Sequence, residues 1–200
     1  MRAARASAAA FACVLALALA GCDKLAGSRT PFYAIDVTGS PIGRELNLTD
    51  HNGAPRTLAD FRGKLVVVTF GYTQCPDVCP TTLADLSSAL KKLGPDASRV
   101  QVLFVTIDPK RDKPELLKQY LPAFDPGFLG LYGDEAATKK AENEFKVYAQ
   151  ERAGKTQESY TVDHTAQTFV FDRQGRLRLM MAYGVTPEAM ASDFRILLNS

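Results

Sequence analysis

Two cysteines in the stretch GYTQCPDVCP (71–80) are spaced so that they could act together. Cys75 and Cys79 are four residues apart, and each is followed by a proline. Residues i and i+4 of a helical turn lie about 6 Å apart, a separation that a disulfide can bridge. The same separation lets two sulfurs converge on one metal ion. Spacing alone therefore leaves three alternatives open: a structural disulfide, a redox pair, or part of a metal site.

A disulfide that serves only to stabilise the fold is the least favoured alternative. Closing so short a loop removes little entropy from the unfolded chain. A chain of 200 residues that is 46% hydrophobic also has enough apolar side chains to build a core without a covalent crosslink. The pair follows an apolar run and precedes a predicted helix, where free N–H groups and the helix dipole stabilise thiolates. Thiolates are both nucleophiles and metal ligands, so redox and metal-binding roles remain.

The chain has two histidines that could join the cysteines. His51 lies in HNGAP (51–55), and a polar surface residue of an Asn-Gly turn is its simpler interpretation. His164 lies in YTVDHTAQTFVF, at the entry to a predicted core strand. By itself His164 is equally compatible with an ordinary residue at a strand edge. Only the fold decides whether His164 approaches the two thiols.

The predicted elements alternate between strands and helices. A hairpin with an Asn-Gly turn is followed by two buried strands, each leading into a helix, then a strand and a helix, and finally a hairpin and a helix. After the first hairpin, the predicted strands are 64–72, 99–108, FLGLYG, AQTFVFD and RLRLMMAY. The predicted helices are 81–93, one that opens at 112–115, 135–148 and one capped by Thr186. This order predicts an α/β fold: a thioredoxin-like mixed sheet flanked by helices, with an inserted βα unit and an N-terminal hairpin.

In that fold the loop before the AQTFVFD strand faces the turn that begins the first helix, so His164 is expected beside Cys75 and Cys79. Structural zinc prefers four ligands, whereas soft sulfur donors favour Cu(I), which accepts few ligands. The predicted metal is therefore copper. Cu(II) is also expected to bind if water or a carboxylate such as Asp163 completes a tetragonal set. The adjacent methionines Met180 and Met181 are not expected ligands, because neighbouring residues of a strand face opposite sides.

The charge of the chain argues against nucleic acid as a partner. The formal net charge is +2, and Arg2 and Arg5 of the leader account for it. The remainder is balanced, so it offers no electrostatic reason to bind a polyanion.

The first residues are predicted to be a lipoprotein signal peptide (1–21). A basic start, MRAARA, precedes an apolar run over 11–20 that is too short for an ordinary membrane span. The run ends in LAGC (19–22), which resembles the lipobox of bacterial lipoproteins and implies cleavage before Cys22 with lipid on its sulfur. Asp23 resembles an inner-membrane retention signal. The alternative is an ordinary cleaved signal with a spare thiol at Cys22.

The predicted processing simplifies the count of thiols. Cys13 leaves with the signal, so Cys75 and Cys79 are the only free thiols expected in the mature chain, in a compartment that favours oxidation. Residues 22–43, rich in Gly, Ser, Pro and Thr, are predicted to be a lipid-anchored tether. Residues 44–200 are predicted to form the copper-binding domain.

Three blocks together resemble the Sco/SenC family of copper-binding assembly factors for cytochrome c oxidase. They are CPDVCP, TIDPKRDKPE and YTVDHTAQTFVFD. The resemblance implies that Cys75, Cys79 and His164 bind copper and that the protein helps to metallate the binuclear copper centre of an oxidase subunit. It also implies a domain tethered to the bacterial inner membrane and facing the periplasm. Many relatives have an N-terminal transmembrane helix where this chain has Cys22.

The predicted function is that of a metallochaperone, with a copper donor in the periplasm and the copper-accepting oxidase subunit as partners. An oxidised pair cannot bind Cu(I), so a thioredoxin-like reductant is also expected. The alternative is a thiol–disulfide oxidoreductase that reduces cysteines of the oxidase subunit, and a peroxidase is a more distant one. Three residues between the cysteines, rather than the two of thioredoxin, count against a general oxidoreductase. In the block Asp108–Asp112, a helix N-cap at Asp112 is favoured over a docking or site-tuning role.

Overall fold

The computed structural model describes residues 31–154 and 159–200. The predicted signal peptide, Cys22 and the first part of the predicted tether lie outside this range. In the described part of the chain, none of the helices is both long enough and apolar enough to cross a bilayer.

Ten strands and four α-helices make up the described chain. The strands are β1 Ile35–Asp36, β2 Asn47–Asp50, β3 Pro55–Thr57, β4 Leu65–Gly71, β5 Val100–Thr106, β6 Leu129–Tyr132, β7 Ala149–Arg152, β8 Thr161–His164, β9 Thr168–Phe171 and β10 Leu177–Met181. The helices are α1 Val78–Leu93, α2 Pro114–Tyr120, α3 Glu135–Phe145 and α4 Pro187–Leu198.

Eight of the strands form one mixed sheet in the order β1-β10-β9-β4-β5-β6-β2-β3. β4 pairs in parallel with β5 and antiparallel with β9, and all seven of its residues are buried. The β-branched run that predicted a strand covered on both faces is thereby confirmed. One face packs against α1, α2 and α4, and the other against α3 and the loops beside it. β7 and β8 form a separate two-stranded sheet.

Helix α1 begins three residues earlier than predicted. The sequence predicted a start at residue 81, but Asp77 precedes the first helical residue, Val78. The Thr82 hydroxyl donates to the Val78 carbonyl at 2.8 Å, one turn back inside the helix. The earlier start places Cys79 in the first turn, where unpaired backbone N–H groups stabilise negative charge.

Helix α3 ends earlier than predicted. Lys146, with φ 56°, adopts the left-handed conformation directly after Phe145 and stops the helix. Tyr148, the last residue of the predicted span, therefore lies beyond the helix and is 55% exposed. Within the helix, Ala141 and Phe145 are buried.

The segment before β2, which its composition assigns to the tether, is attached to the domain. β1 pairs with β10 at one edge of the sheet. The backbone N–H groups of Tyr33 and Ala34 donate to the two carboxylate oxygens of Asp193 at 2.9 and 2.8 Å. Asp193 is fully buried in α4, so these two donors offset the cost of burying its charge.

Candidate metal centre

Strand β4 and helix α1 position the two cysteines. The loop over 72–77 leaves β4 at the edge where parallel strands end, and Cys75 N–H donates to the Tyr72 carbonyl at 3.2 Å. Cys75 is half-buried in this loop, whereas Cys79 is buried in the first turn of α1. The two thiols are free, so the structure shows the reduced pair.

His164 reaches the cysteines from the separate hairpin. It is the last residue of β8, and its position pairs with Ala149 of β7. The sequence placed His164 at the entry to a core strand, but three residues separate it from β9. The prediction that His164 lies beside the cysteines is confirmed, although the element that carries it is an additional hairpin.

The two sulfurs and the imidazole converge on one point. Their potential ligand atoms all lie within 4.8 Å of one another. The Cys79 sulfur is 3.4 Å from His164 Nε2, and the Cys79 N–H donates to the Cys75 sulfur at 3.4 Å. His164 Nδ1 lies 3.0 Å from the Thr165 carbonyl, which can only accept. Nδ1 therefore carries the proton of the neutral ring, and Nε2 presents a lone pair to the sulfurs.

The two thiols differ strongly in acidity. The hydrogen bond from Cys79 is the largest cause that lowers the pKa of Cys75, from 9.0 to about 3. The same hydrogen bond, together with burial, raises the pKa of Cys79. The pKa is thus lowered at Cys75 and raised at Cys79, so the half-buried sulfur is the more acidic of the two. A metal ion that displaces the Cys79 proton receives two thiolate ligands.

The block Asp108–Asp112 supports this site. The prediction that Asp112 is a helix N-cap is wrong. Lys113 precedes the first residue of α2, and Asp112 does not cap the helix. Its buried carboxylate accepts from Thr73 N–H at 3.0 Å, from the Thr73 hydroxyl at 2.6 Å and from the Thr106 hydroxyl at 2.7 Å. Asp112 therefore holds the start of the cysteine loop against the end of β5. Burial raises the pKa of Asp112, and these three donors act against that rise.

The other candidates lie elsewhere. His51 sits in the predicted turn, and its Nδ1 accepts from Gly130 N–H at 3.1 Å. Met180 and Met181 pack on opposite faces of the sheet, as the alternation requires. The Asp163 carboxylate is exposed and paired with Arg152 at 2.7 Å, and it is not part of the cluster of potential ligands.

A groove of about 410 Å³ opens beside the cluster. Cys75 and His164 line it together with Tyr72, Pro76, Val78 and Val162. Cys75 and His164 are therefore reachable from outside, whereas Cys79 is covered.

Comparison with known proteins adds family evidence to this geometry. The SCO1/SenC family model matches residues 36–199. A SCO2-like protein of Rickettsia prowazekii is 38% identical over 136 residues, which are 68% of this chain and 66% of that protein. Mitochondrial SCO2 of Saccharomyces cerevisiae is 37% identical over 137 residues, 68% of this chain and 46% of that protein. The matched part thus spans from about half to two thirds of these relatives.

Two solved structures were determined with copper bound. ScoI of Bradyrhizobium japonicum is 42% identical with a TM-score of 0.73, covering 78% of this chain and 99% of that one. Yeast Sco1 is 30% identical with a TM-score of 0.74, and the match covers 80% of this chain and 90% of that one. The predicted thioredoxin-like α/β fold is confirmed by this likeness.

Proposed function

Because the chain belongs to the SCO1/SenC family, we propose that it is a copper-binding metallochaperone that assists assembly of the binuclear copper centre of cytochrome c oxidase. The observation that carries the proposal is the convergence of Cys75, Cys79 and His164 within 4.8 Å. Two relatives in the same fold are described as copper-bound.

The donor set suits copper as a cargo. Two soft thiolates bind Cu(I), and an imidazole nitrogen adds a ligand that Cu(II) also accepts. Release to a partner proceeds by ligand exchange, in which an incoming thiolate or imidazole replaces one protein ligand at a time. Cys75 and His164 line the open groove, so they are the ligands that a partner reaches first.

Copper titration of the reduced protein tests the ligand set. Cys75→Ser and Cys79→Ser are each expected to abolish tight 1:1 copper binding, because each removes a thiolate, and His164→Ala is expected to weaken Cu(II) binding, because it removes the nitrogen donor. His51→Ala is the matched control, since His51 contacts Gly130 and lies outside the cluster. Tight binding of one copper by the Cys75→Ser/Cys79→Ser double variant would contradict the proposal.

The unequal thiols favour a second candidate, a thiol–disulfide oxidoreductase acting on cysteines of the oxidase subunit. Cys75 lines the open groove and has the lowered pKa, whereas Cys79 is buried and has the raised pKa, which is the arrangement of an attacking and a resolving cysteine. Disulfide exchange with a cysteine-containing peptide separates the two candidates. Exchange that is unchanged in His164→Ala and independent of copper supports the oxidoreductase, whereas weak exchange in the wild type together with weakened Cu(II) binding in His164→Ala supports the metallochaperone.

The site residues and the location of the protein complete the proposal. Cys22 is proposed to carry the lipid that holds the domain on the periplasmic side of the bacterial inner membrane. The part of 22–43 that precedes the attachment at Tyr33 and Ala34 is proposed to form the tether. The proposed partners are a periplasmic copper donor, a thioredoxin-like reductant and the copper-accepting oxidase subunit. Metabolic labelling with palmitate, compared between the wild type and Cys22→Ala, tests the anchor.

A further inference from the structure

The loop between β5 and α2 carries an arginine that touches both ligand-bearing segments. Arg111 Nη1 donates to the Gln74 side-chain oxygen at 3.2 Å and to the Tyr160 carbonyl at 2.8 Å. Gln74 precedes Cys75 in the cysteine loop. Tyr160 precedes β8, the strand that ends at His164. One guanidinium group thus joins the loop that holds the first thiol to the hairpin that holds the imidazole.

Aromatic and acidic neighbours fix the orientation of this guanidinium group. Its Cζ lies 3.6 Å from the centre of the Tyr160 ring and 5.6 Å from that of Tyr72. Its Nε donates to the buried Asp108 carboxylate at 2.5 Å, and the Tyr160 hydroxyl donates to the same carboxylate at 2.7 Å. The Arg111 side chain is only 14% exposed. A planar fork that stacks and donates in several directions is specific to arginine, and lysine cannot reproduce it.

The hairpin needs such an attachment. β7 and β8 pair only with each other in the described structure, and an isolated two-stranded hairpin is marginally stable in water. Thr161 and Asp163 of β8 are exposed, whereas Val162 is buried and donates its N–H to the Tyr72 hydroxyl at 3.2 Å. The position of His164 over the sulfurs therefore depends on Val162 and on the contacts of Arg111.

We propose that Arg111 is a positioning residue that keeps His164 within reach of the two cysteine sulfurs and thereby makes the imidazole a ligand. The proposal rests on the copper-binding function and deepens it. Cu(I) is satisfied by two thiolates, whereas Cu(II) prefers a tetragonal set that contains nitrogen or oxygen. Loosening the hairpin therefore weakens Cu(II) binding much more than Cu(I) binding.

Arg111→Lys tests this, because it keeps the charge and removes the fork. We expect Cu(II) affinity to fall at least tenfold and Cu(I) affinity to change less than threefold, with weaker nitrogen hyperfine structure in the EPR spectrum. His164→Ala is expected to lose the same nitrogen signal, and the double variant to bind Cu(II) no more weakly than His164→Ala. Additive losses in the double variant would show that Arg111 acts independently of His164 and would overturn the proposal.

Arg176→Lys is the matched control. Arg176 also pairs with a buried aspartate, Asp172 at 2.8 Å. The pair lies in the turn between β9 and β10. This turn contacts Gly63, which precedes β4, at the opposite end of that strand from the cysteine loop. An equal loss of Cu(II) affinity in Arg176→Lys would mean that the effect is general destabilisation, and would overturn the proposal.

A second variant and a measurement on the metal-free protein test the proposal even if Arg111→Lys folds poorly. Tyr160→Leu removes the stacked ring but leaves the pair of Arg111 with Asp108. In both variants NMR of the metal-free protein is expected to show weakened contacts between the His164 ring and Cys79. Unchanged contacts together with unchanged Cu(II) binding would overturn the proposal. If instead His164→Ala retains wild-type copper binding and EPR spectrum, it is the proposed ligand set that fails.

Discussion

Replacing Gly71 with alanine adds one methyl group next to the buried cysteine. A Cβ on Gly71 would lie 2.7 Å from the Cys79 sulfur and 2.9 Å from Cε2 of Phe104. Ordinary van der Waals contact begins at 3.4 Å, so the sulfur contact is about 0.7 Å too short. Both neighbours are buried, at 4% and 1% exposure, and buried side chains are closely packed and move little. Gly71 is therefore required by close packing and not by an unusual backbone angle.

The expected cost follows from the packing. Overpacking of a core costs about 1–3 kcal/mol, and the lower entropy of unfolded alanine returns about 0.4–1 kcal/mol. Gly71→Ala is thus expected to destabilise the reduced apo protein by about 1–2 kcal/mol. With a urea slope of about 2 kcal/mol per molar, the unfolding midpoint falls by about 0.5–1 M. Because the sulfur must move from its place 3.4 Å from His164 Nε2, copper affinity is expected to fall as well.

Gly133→Ala separates the two effects. Its Cβ would lie 2.9 Å from both Ala137 Cβ and Leu48 Cδ2, which are not part of the metal centre. We expect a similar shift of the urea midpoint with unchanged copper affinity. The reasoning is refuted if Gly71→Ala unfolds at the wild-type urea concentration, or if Gly133→Ala weakens copper binding as much as Gly71→Ala does.

Three further outcomes are expected. Asp112→Ala leaves three donors without their buried acceptor and is expected to lower the free energy of unfolding by about 2–4 kcal/mol, measured in urea; a loss below 1 kcal/mol would contradict the role of Asp112. An acid with a lowered pKa stays deprotonated down to that pKa. Iodoacetamide is therefore expected to alkylate Cys75 at pH 5, and the rate of alkylation is expected to fall as the pH approaches about 3. Cys79→Ala removes the main cause of that lowering, so alkylation at pH 5 is expected to slow; an unchanged rate would be inconsistent with it. Asp193→Asn weakens the attachment of the segment before β2, and faster amide exchange at Ala34 by mass spectrometry is the expected result, with unchanged exchange as the contrary one.

Local patterns in the sequence were sufficient for the central strands and for the closeness of the two cysteines. The β-branched run of β4, the alternation of strands and helices and the end of the first helix at residue 93 depend on neighbouring residues, and the structure has them as predicted. Cys75 and Cys79 are close because four residues separate them. His164 could be placed because the order of elements brings the loop before β9 to the end of β4.

The prediction from sequence was wrong where a side chain binds a residue that is far away in the sequence. Asp112 has the type and position of an N-cap, yet it binds Thr73, which lies 39 residues away. The local capping preference is worth about 1 kcal/mol, and three hydrogen bonds to a buried carboxylate outweigh it.

The sequence by itself determined which residues are candidate metal ligands and which family the blocks resemble, because residue type defines donor chemistry and short spacing brings the two cysteines together. Only the tertiary structure decided how the donors are held. Arg111 contacts a tyrosine carbonyl 49 residues away, and the Cys79 sulfur meets an imidazole 85 residues away. Such contacts depend on packing of the whole sheet, and for the same reason the need for glycine at position 71 is visible only once Cys79 and Phe104 are packed against it.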